Sequence, residues 1–107
     1  MRRVDLTTVA LRGAASKRRP ALVIQADHFV GLSTVVVLSL TSTLLDLPFL
    51  RVTIEPLPKT GLHQRSQVMI SRPQVVPCVR LGPVIGKIDA GTLLEVARRL
   101  AVLAGIG

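Results

Sequence analysis

Apolar and polar positions follow short, strand-like patterns along most of the chain, and the period lengthens to that of a helix only after residue 89. Val4–Leu11 alternates weakly and is rich in Thr and Val, which predicts a first strand. Arg12–Arg18 is small, basic and glycine-containing and reads as a surface loop. A second strand runs from Arg19 or Pro20 to Gln25. Within it Ala21–Ile24 is continuously apolar, as in a strand buried on both faces, and Pro20 sits at the start, where a missing N–H costs nothing. Ala26–Ser33, with Asp27, His28 and Gly31, reads as a short helical turn or connector. Thr34–Leu40 is strongly β-branched and forms a third strand ending in the hydroxyl cluster Thr41-Ser42-Thr43. Asp46 and Pro48 turn the chain. Leu50–Glu55 then alternates cleanly, with Leu50, Val52 and Ile54 on one face.

Pro56–Arg65 reads as an exposed loop and Ser66–Ser71 as a fifth strand. Arg72–Leu81 is a proline-punctuated connection, and Gly82–Ile88 a sixth strand whose glycines indicate a bulge or a close backbone approach. Asp89 has the chemistry of an N-cap. Leu93, Val96, Ala97, Leu100, Leu103 and Ala104 recur at helical spacing, and Gly105 supplies a stop. Glu95, Arg98 and Arg99 are expected on the wet face, with Glu95 placed for local ion pairing. Six short strands and one helix predict a mainly β fold: an antiparallel, barrel-like sheet with a C-terminal α-helix, in one domain spanning 1–107.

Composition changes this picture in two ways. Hydrophobic residues make up 49% of the chain. That excludes intrinsic disorder and is more than a small monomer readily buries, so a homodimer is expected. The formal net charge is +8, from 14 Lys and Arg against 6 acids, which calls for an anionic partner: nucleic acid first, an acidic protein segment second. With Phe29 and Phe49 as the only aromatics, base-stacking platforms are excluded, and contact with nucleic acid must rest on phosphate charge, hydroxyls and backbone groups. No apolar run approaches the length of a membrane span. Asp5 interrupts the place where a signal peptide needs its apolar stretch, so a cytoplasmic location is expected. A lone cysteine, Cys78, makes no internal disulfide and reads as a buried, inert thiol.

No phosphate-binding glycine loop, metal-spaced histidine pair or Gly-x-Ser-x-Gly elbow occurs, and no metal or cofactor is expected. Chemistry must then be assembled from strand ends. Arg19 opens the second strand and Thr41 closes the third, so the two meet if those strands are antiparallel neighbours. A guanidinium that binds two phosphate oxygens, beside a hydroxyl that donates a proton, suits phosphodiester cleavage. In RNA the 2′-OH is already the nucleophile. Lys17, Arg18, Ser42 and Arg72 are candidate RNA-binding residues. The two imidazoles, His28 and His63, can act as acid or base near neutral pH but read as solvated loop histidines.

Lys17–Gln25 with Ala26-Asp27 resembles the Arg-Pro-x-x-Val-x-x-x-Asp segment of the MazF/PemK family of toxin endoribonucleases. The resemblance continues through Val35–Ser42, Leu47-Pro48-Phe49, Gly61-Leu62, Ser66-Gln67-Val68, Gly82–Asp89 and the Leu-rich terminal helix. It covers nearly the whole chain, carried by order and spacing rather than by any one piece. It implies a compact CcdB/MazF-like barrel, a homodimer, metal-independent cleavage of single-stranded RNA at short sequences to a 2′,3′-cyclic phosphate, and an acidic antitoxin partner. The family's catalytic arginine and threonine fall on Arg19 and Thr41. Two departures stand out: Arg3-Val4-Asp5 lacks the family's usual opening and nearby aromatic, and Ser71-Arg72-Pro73 stands where many members place an acid followed by Gln. Two other readings are a CcdB-like gyrase poison, echoed partially by the tail Gly105-Ile106-Gly107, and a non-catalytic member that only binds RNA or antitoxin.

Overall fold

The computed structural model describes residues 4–11, 14–24 and 31–105, and the side chains of all of these except 11 and 14–17. The basic opening Met1–Arg3, Arg12-Gly13, the strand end at Gln25, the connector residues Ala26–Val30 with Asp27 and His28, and Ile106-Gly107 lie outside the described residues. Seven elements follow in order: β1 (Asp5–Leu11), β2 (Ala14–Val23), β3 (Thr34–Thr41), β4 (Arg51–Ile54), β5 (Ser66–Pro77), β6 (Gly86–Lys87) and α1 (Ala90–Leu103). All strands pair antiparallel in one sheet, in the order β4-β5-β3-β2-β1-β6. The sheet curls so that its two edges approach: Lys87 N–H donates to the carbonyl of Lys59, 2.8 Å away, in the segment that follows β4. Gly86 makes that approach possible, because a Cβ there would collide with the carbonyl of Thr60. The mainly β architecture with a C-terminal helix is thus as expected.

Alternation along the strands divides the core in two. Leu6, Leu22, Leu38, Leu40, Val68 and Ile70 pack on one face with Val96 of α1, while Val9, Ala21, Val23, Val35, Val37 and Val76 pack on the other. The centre of β2 is therefore buried on both faces, with Ala21, Leu22 and Val23 at most 1% exposed.

Two strands run longer than their composition indicates. Ala14–Arg18 is not a loop but the first half of β2, paired with β1 through Ala10↔Arg18 and Leu11↔Ala14. Arg72–Pro77 is likewise not a connection but the second half of β5, paired with the start of β3. Between Leu38↔Pro73 and Leu40↔Val68 the chain advances two residues on β3 and five on β5, so β5 bulges around Met69–Arg72. Pro73 is tolerated because it borders the irregularity, and Pro20 because the β2–β3 pairing begins just after it, at Ala21. Conversely, only Gly86-Lys87 of Gly82–Ile88 is regular strand. The whole segment still follows β1, with Gly82, Ile85 and Ile88 N–H donating to Thr8, Leu6 and Val4 carbonyls at 2.8–3.0 Å, and Pro83 interrupting the ladder for want of a donor.

Helix α1 starts and stops where its caps dictate. The Asp89 carboxylate accepts from Thr92 N–H at 2.7 Å, and Gly105 follows the helix with φ 75°, a conformation glycine adopts freely. Val96 is fully buried and Leu93 and Leu100 pack against the core. Leu103 and Ala104, expected on the core face, are exposed, Leu103 at the lip of a cavity beside Phe49 and Leu50. Arg99 is drawn against the protein instead, its side chain 24% exposed and paired with Glu95 at 2.8 Å. Cys78 also departs from expectation. It is exposed, in a single 3-10 turn at the end of β5, with Sγ 3.3 Å from the carbonyl of Leu32.

Candidate active site

The register of β2 against β3 decides whether Arg19 and Thr41 meet. The paired residues run Ala21↔Ser39, Leu22↔Leu38, Val23↔Val37, and the Ile24 N–H bond to the Val36 carbonyl continues them. Extending the same register by two residues sets Arg19 opposite Thr41. Both line one cavity of about 340 Å³, together with Pro20, Leu40, Ser42, Leu62, His63, Gln64 and Ser66. Burial just behind this mouth makes it rigid: Leu40 and Ala21 are at most 1% exposed, whereas Arg19 is exposed and Thr41 partly so. A charged side chain at the end of a buried stretch of strand keeps its position without losing its hydration.

The hydroxyl of Thr41 is oriented by the turn that follows it. Its oxygen accepts from Thr43 N–H at 3.1 Å, so the hydroxyl hydrogen is available to donate into the cavity. The turn is held in its own place by Gln67, which pairs with Thr41 across β3 and β5 and is 7% exposed. Gln67 accepts from Leu45 N–H at 3.0 Å and donates to the Leu45 carbonyl at 3.1 Å, so one amide closes both ends of a backbone pair. Arg51 Nη1 donates to Gln67 Oε1 and to the carbonyl of Thr43, each at 3.0 Å. The exposed segment between β3 and β4 is thereby tied to the sheet directly behind Thr41.

The opposite contributor to the cavity is the segment between β4 and β5, which is an exposed loop with two buried anchors. Thr60, 3% exposed, donates its hydroxyl toward the Glu55 and Leu57 carbonyls at 2.9 Å, and Leu62 enters the core. Ser66 Oγ then donates to the Gln64 carbonyl at 3.0 Å. His63 and Gln64 are held between these anchors with their side chains exposed.

Of the six residues proposed from sequence, the structure brings three together: Arg19, Thr41 and Ser42. Arg18 points the other way, as alternation along a strand requires, and a Cβ on Gly82 would lie 3.0 Å from its Nη1. Arg72 is exposed at the β5 bulge and does not line the cavity. Lys17 belongs to β2, and its side chain lies outside the described ones. Sequence reasoning passed over His63, read as a solvated loop histidine. Its only signal was its place between Leu62, which is apolar enough to anchor the loop, and the start of β5.

A second, larger cavity of about 390 Å³ lies beneath the end of α1, lined by Phe49, Leu50, Glu95, Arg98, Arg99, Val102 and Leu103. Asp89, at the other end of that helix, has its carboxyl held below the ordinary value of 3.8, chiefly by the Thr92 backbone N–H, then the Thr92 hydroxyl and the charge of Lys59. The Lys59 ammonium lies 3.6 Å from the carboxylate.

A curled antiparallel sheet with a C-terminal helix, and a cavity joining a cation to hydroxyls at strand ends, define a small β protein suited to hold an anionic strand. The chain belongs to the family of PemK-like, MazF-like toxins of type II toxin-antitoxin systems, whose profile matches residues 2–104. It is 40% identical over 107 residues to a probable endoribonuclease MazF of Mycolicibacterium smegmatis, covering 99% of this chain and 98% of that one. Its fold matches Mycobacterium tuberculosis toxin MazF-mt6 with a TM-score of 0.82 at 24% identity, over 96% of this chain and 98% of the other. The toxin of a MazE-MazF complex from Deinococcus radiodurans matches with a TM-score of 0.81 at 23% identity, over 100% and 97% of the two chains. These similarities favour the PemK/MazF reading over the gyrase-poison alternative.

Proposed function

We infer that this protein is the toxin of a type II toxin-antitoxin pair and acts as a metal-independent, sequence-specific endoribonuclease on single-stranded RNA. The observation that carries this reading is the convergence of Arg19 and Thr41 on one cavity across the β2–β3 register. A phosphate seated there meets a guanidinium able to bind two of its oxygens, which stabilises charge as the five-coordinate phosphorus forms. Thr41, with its oxygen already occupied by Thr43 N–H, donates a hydrogen bond to the same phosphate. Attack by the neighbouring 2′-OH releases the 5′-oxygen and leaves a 2′,3′-cyclic phosphate, a reaction that needs no metal to supply the nucleophile. Ser42 adds a hydroxyl at the mouth, while Lys17, Arg18 and Arg72 contribute long-range attraction to RNA rather than contacts at the scissile phosphate.

The partners follow from the surface. Phe49, Val75, Val79 and Val102 are each more than 60% exposed, which supports a homodimer that covers part of this area. A net charge of +8 favours an acidic antitoxin, and the similarity to toxins solved with their antitoxins supports the same assignment. No described helix is long and apolar enough to cross a membrane; action on mRNA favours a cytoplasmic location. The test is cleavage of a mixed-sequence single-stranded RNA in EDTA, with product ends identified by mass spectrometry. Cyclic phosphate termini are expected, and Thr41→Ala should lower the rate without unfolding the protein. Intact RNA alongside inhibited gyrase supercoiling would sink this reading.

A further inference from the structure

We propose that His63 is the general base of this site, the group that takes the proton from the attacking 2′-OH; the proposal rests on the ribonuclease reading above. Transesterification requires the nucleophile to lose a proton, yet Arg19 is permanently protonated. The hydroxyls of Thr41, Ser42 and Ser66 and the amide of Gln64 accept no proton near neutral pH. No carboxylate is among the described lining residues. His63 is the one lining side chain of a type that gains and loses a proton between about pH 5 and 8.

Its placement suits the role. Leu62 on one side is locked into the core, and Ser66 on the other opens β5, so the backbone of His63 is fixed while its ring is exposed at the cavity. Among the described lining residues the only charged side chain beside it is Arg19, from β2; β3 contributes the hydroxyls of Thr41 and Ser42. On its own segment, Arg65 is engaged by Glu55 at 2.9 Å, which keeps that carboxylate occupied. The imidazole thus shares a cavity with the residue that positions the phosphate. The step balances as follows. The 2′-O–H bond breaks and its proton passes to the imidazole; the bond from the 2′-oxygen to phosphorus forms and the bond to the 5′-oxygen breaks. The 5′-oxygen takes a proton from water, and the imidazolium returns its own to the hydroxide left behind.

The experiment compares wild type with His63→Asn and His63→Gly on a long single-stranded RNA of mixed sequence, following cleavage rate against pH and RNA affinity by filter binding. His63→Asn should lose about 10²–10⁴-fold in rate at unchanged affinity, and should lack the limb of the wild-type profile that rises with pH. Added imidazole should restore part of the His63→Gly rate. Because the residue is exposed in a loop, matching thermal melts are expected. A His63→Asn rate within threefold of wild type, an intact pH limb, or a loss explained wholly by RNA affinity would each overturn the proposal while leaving the ribonuclease reading standing. Wild-type protein that leaves RNA intact would overturn both.

Discussion

Two cavities of this molecule invite opposite conclusions from size and from chemistry. The larger, beneath the end of α1, is walled mostly by carbon, from Phe49, Leu50, Val102 and Leu103; of its charged residues, Glu95 and Arg99 pair with each other at 2.8 Å, Arg99 Nε is buried without a partner among the described residues, and Arg98 is exposed. The smaller, between the middle of β2 and the end of β3, gathers a guanidinium, three hydroxyls and an imidazole. Volume measures only where elements diverge. Chemistry depends on groups that can bind charge or move protons, and those are concentrated in the smaller space. The apolar cavity has the character of a surface waiting to be covered; the polar one has the character of a site.

The sharpest way to break this contrast is a pair of substitutions, one in each cavity. Arg19→Ala should reduce cleavage by about 10²–10³-fold or more, the cost of removing a donor aimed at developing charge. Its stability, measured by urea unfolding, should stay within about 0.5 kcal/mol, since the residue is exposed. Val102→Ser should leave cleavage by the folded protein within about twofold. If Val102→Ser abolished cleavage and Arg19→Ala did not, the assignment of the two cavities would be reversed.

A smaller effect is expected behind the site. Gln67→Leu removes the amide that holds Leu45 and Arg51, and should destabilise by about 1–3 kcal/mol because polar partners are left unpaired near the surface of the core. It should also lower the cleavage rate more than RNA affinity, since it frees the turn that orients Thr41. Rescue by Gln67→Glu is not expected, because a carboxylate cannot donate to the Leu45 carbonyl.

The smallest effect concerns the helix that walls the apolar cavity. Asp89 is ionised more readily in the folded protein than in the unfolded chain, so it stabilises the fold at pH values above 3.8. That contribution fades as pH falls below this value through the lowered folded-state value. Asp89→Ala should therefore melt below wild type at pH 7, and the two melting curves should converge in acid. A difference that persisted unchanged into strong acid would mean that the carboxylate charge is not what caps the helix.

Much of this could be read without coordinates. Helix α1 was legible because its caps, Asp89 and Gly105, are local chemistry and its period is regular. The meeting of Arg19 and Thr41 was legible because β2 and β3 are antiparallel neighbours, although Arg19 lies within β2 rather than at its start and only Thr41 ends a strand. The extensions of β2 and β5 were not legible, since Lys17-Arg18 and Arg72-Pro73 carry the composition of loops and become strand only through pairing, with β1 across a hairpin in one case and with β3 far back along the chain in the other. The exposure of Cys78 and Leu103 was hidden for a related reason: burial depends on where neighbouring elements end.

By itself, then, the sequence determined the order of the elements, the cationic balance and the residues on which the proposed chemistry rests, because these follow from local spacing and side-chain type. Tertiary structure alone decided that Arg18 and Arg19 face opposite ways and that Gln67 braces the turn after Thr41. It also decided that His63 shares the cavity, by folding a loop anchored at Thr60 and Leu62 against the middle of β2 and the end of β3. Such convergence joins residues more than twenty positions apart, and no local pattern encodes the register and packing that bring them together.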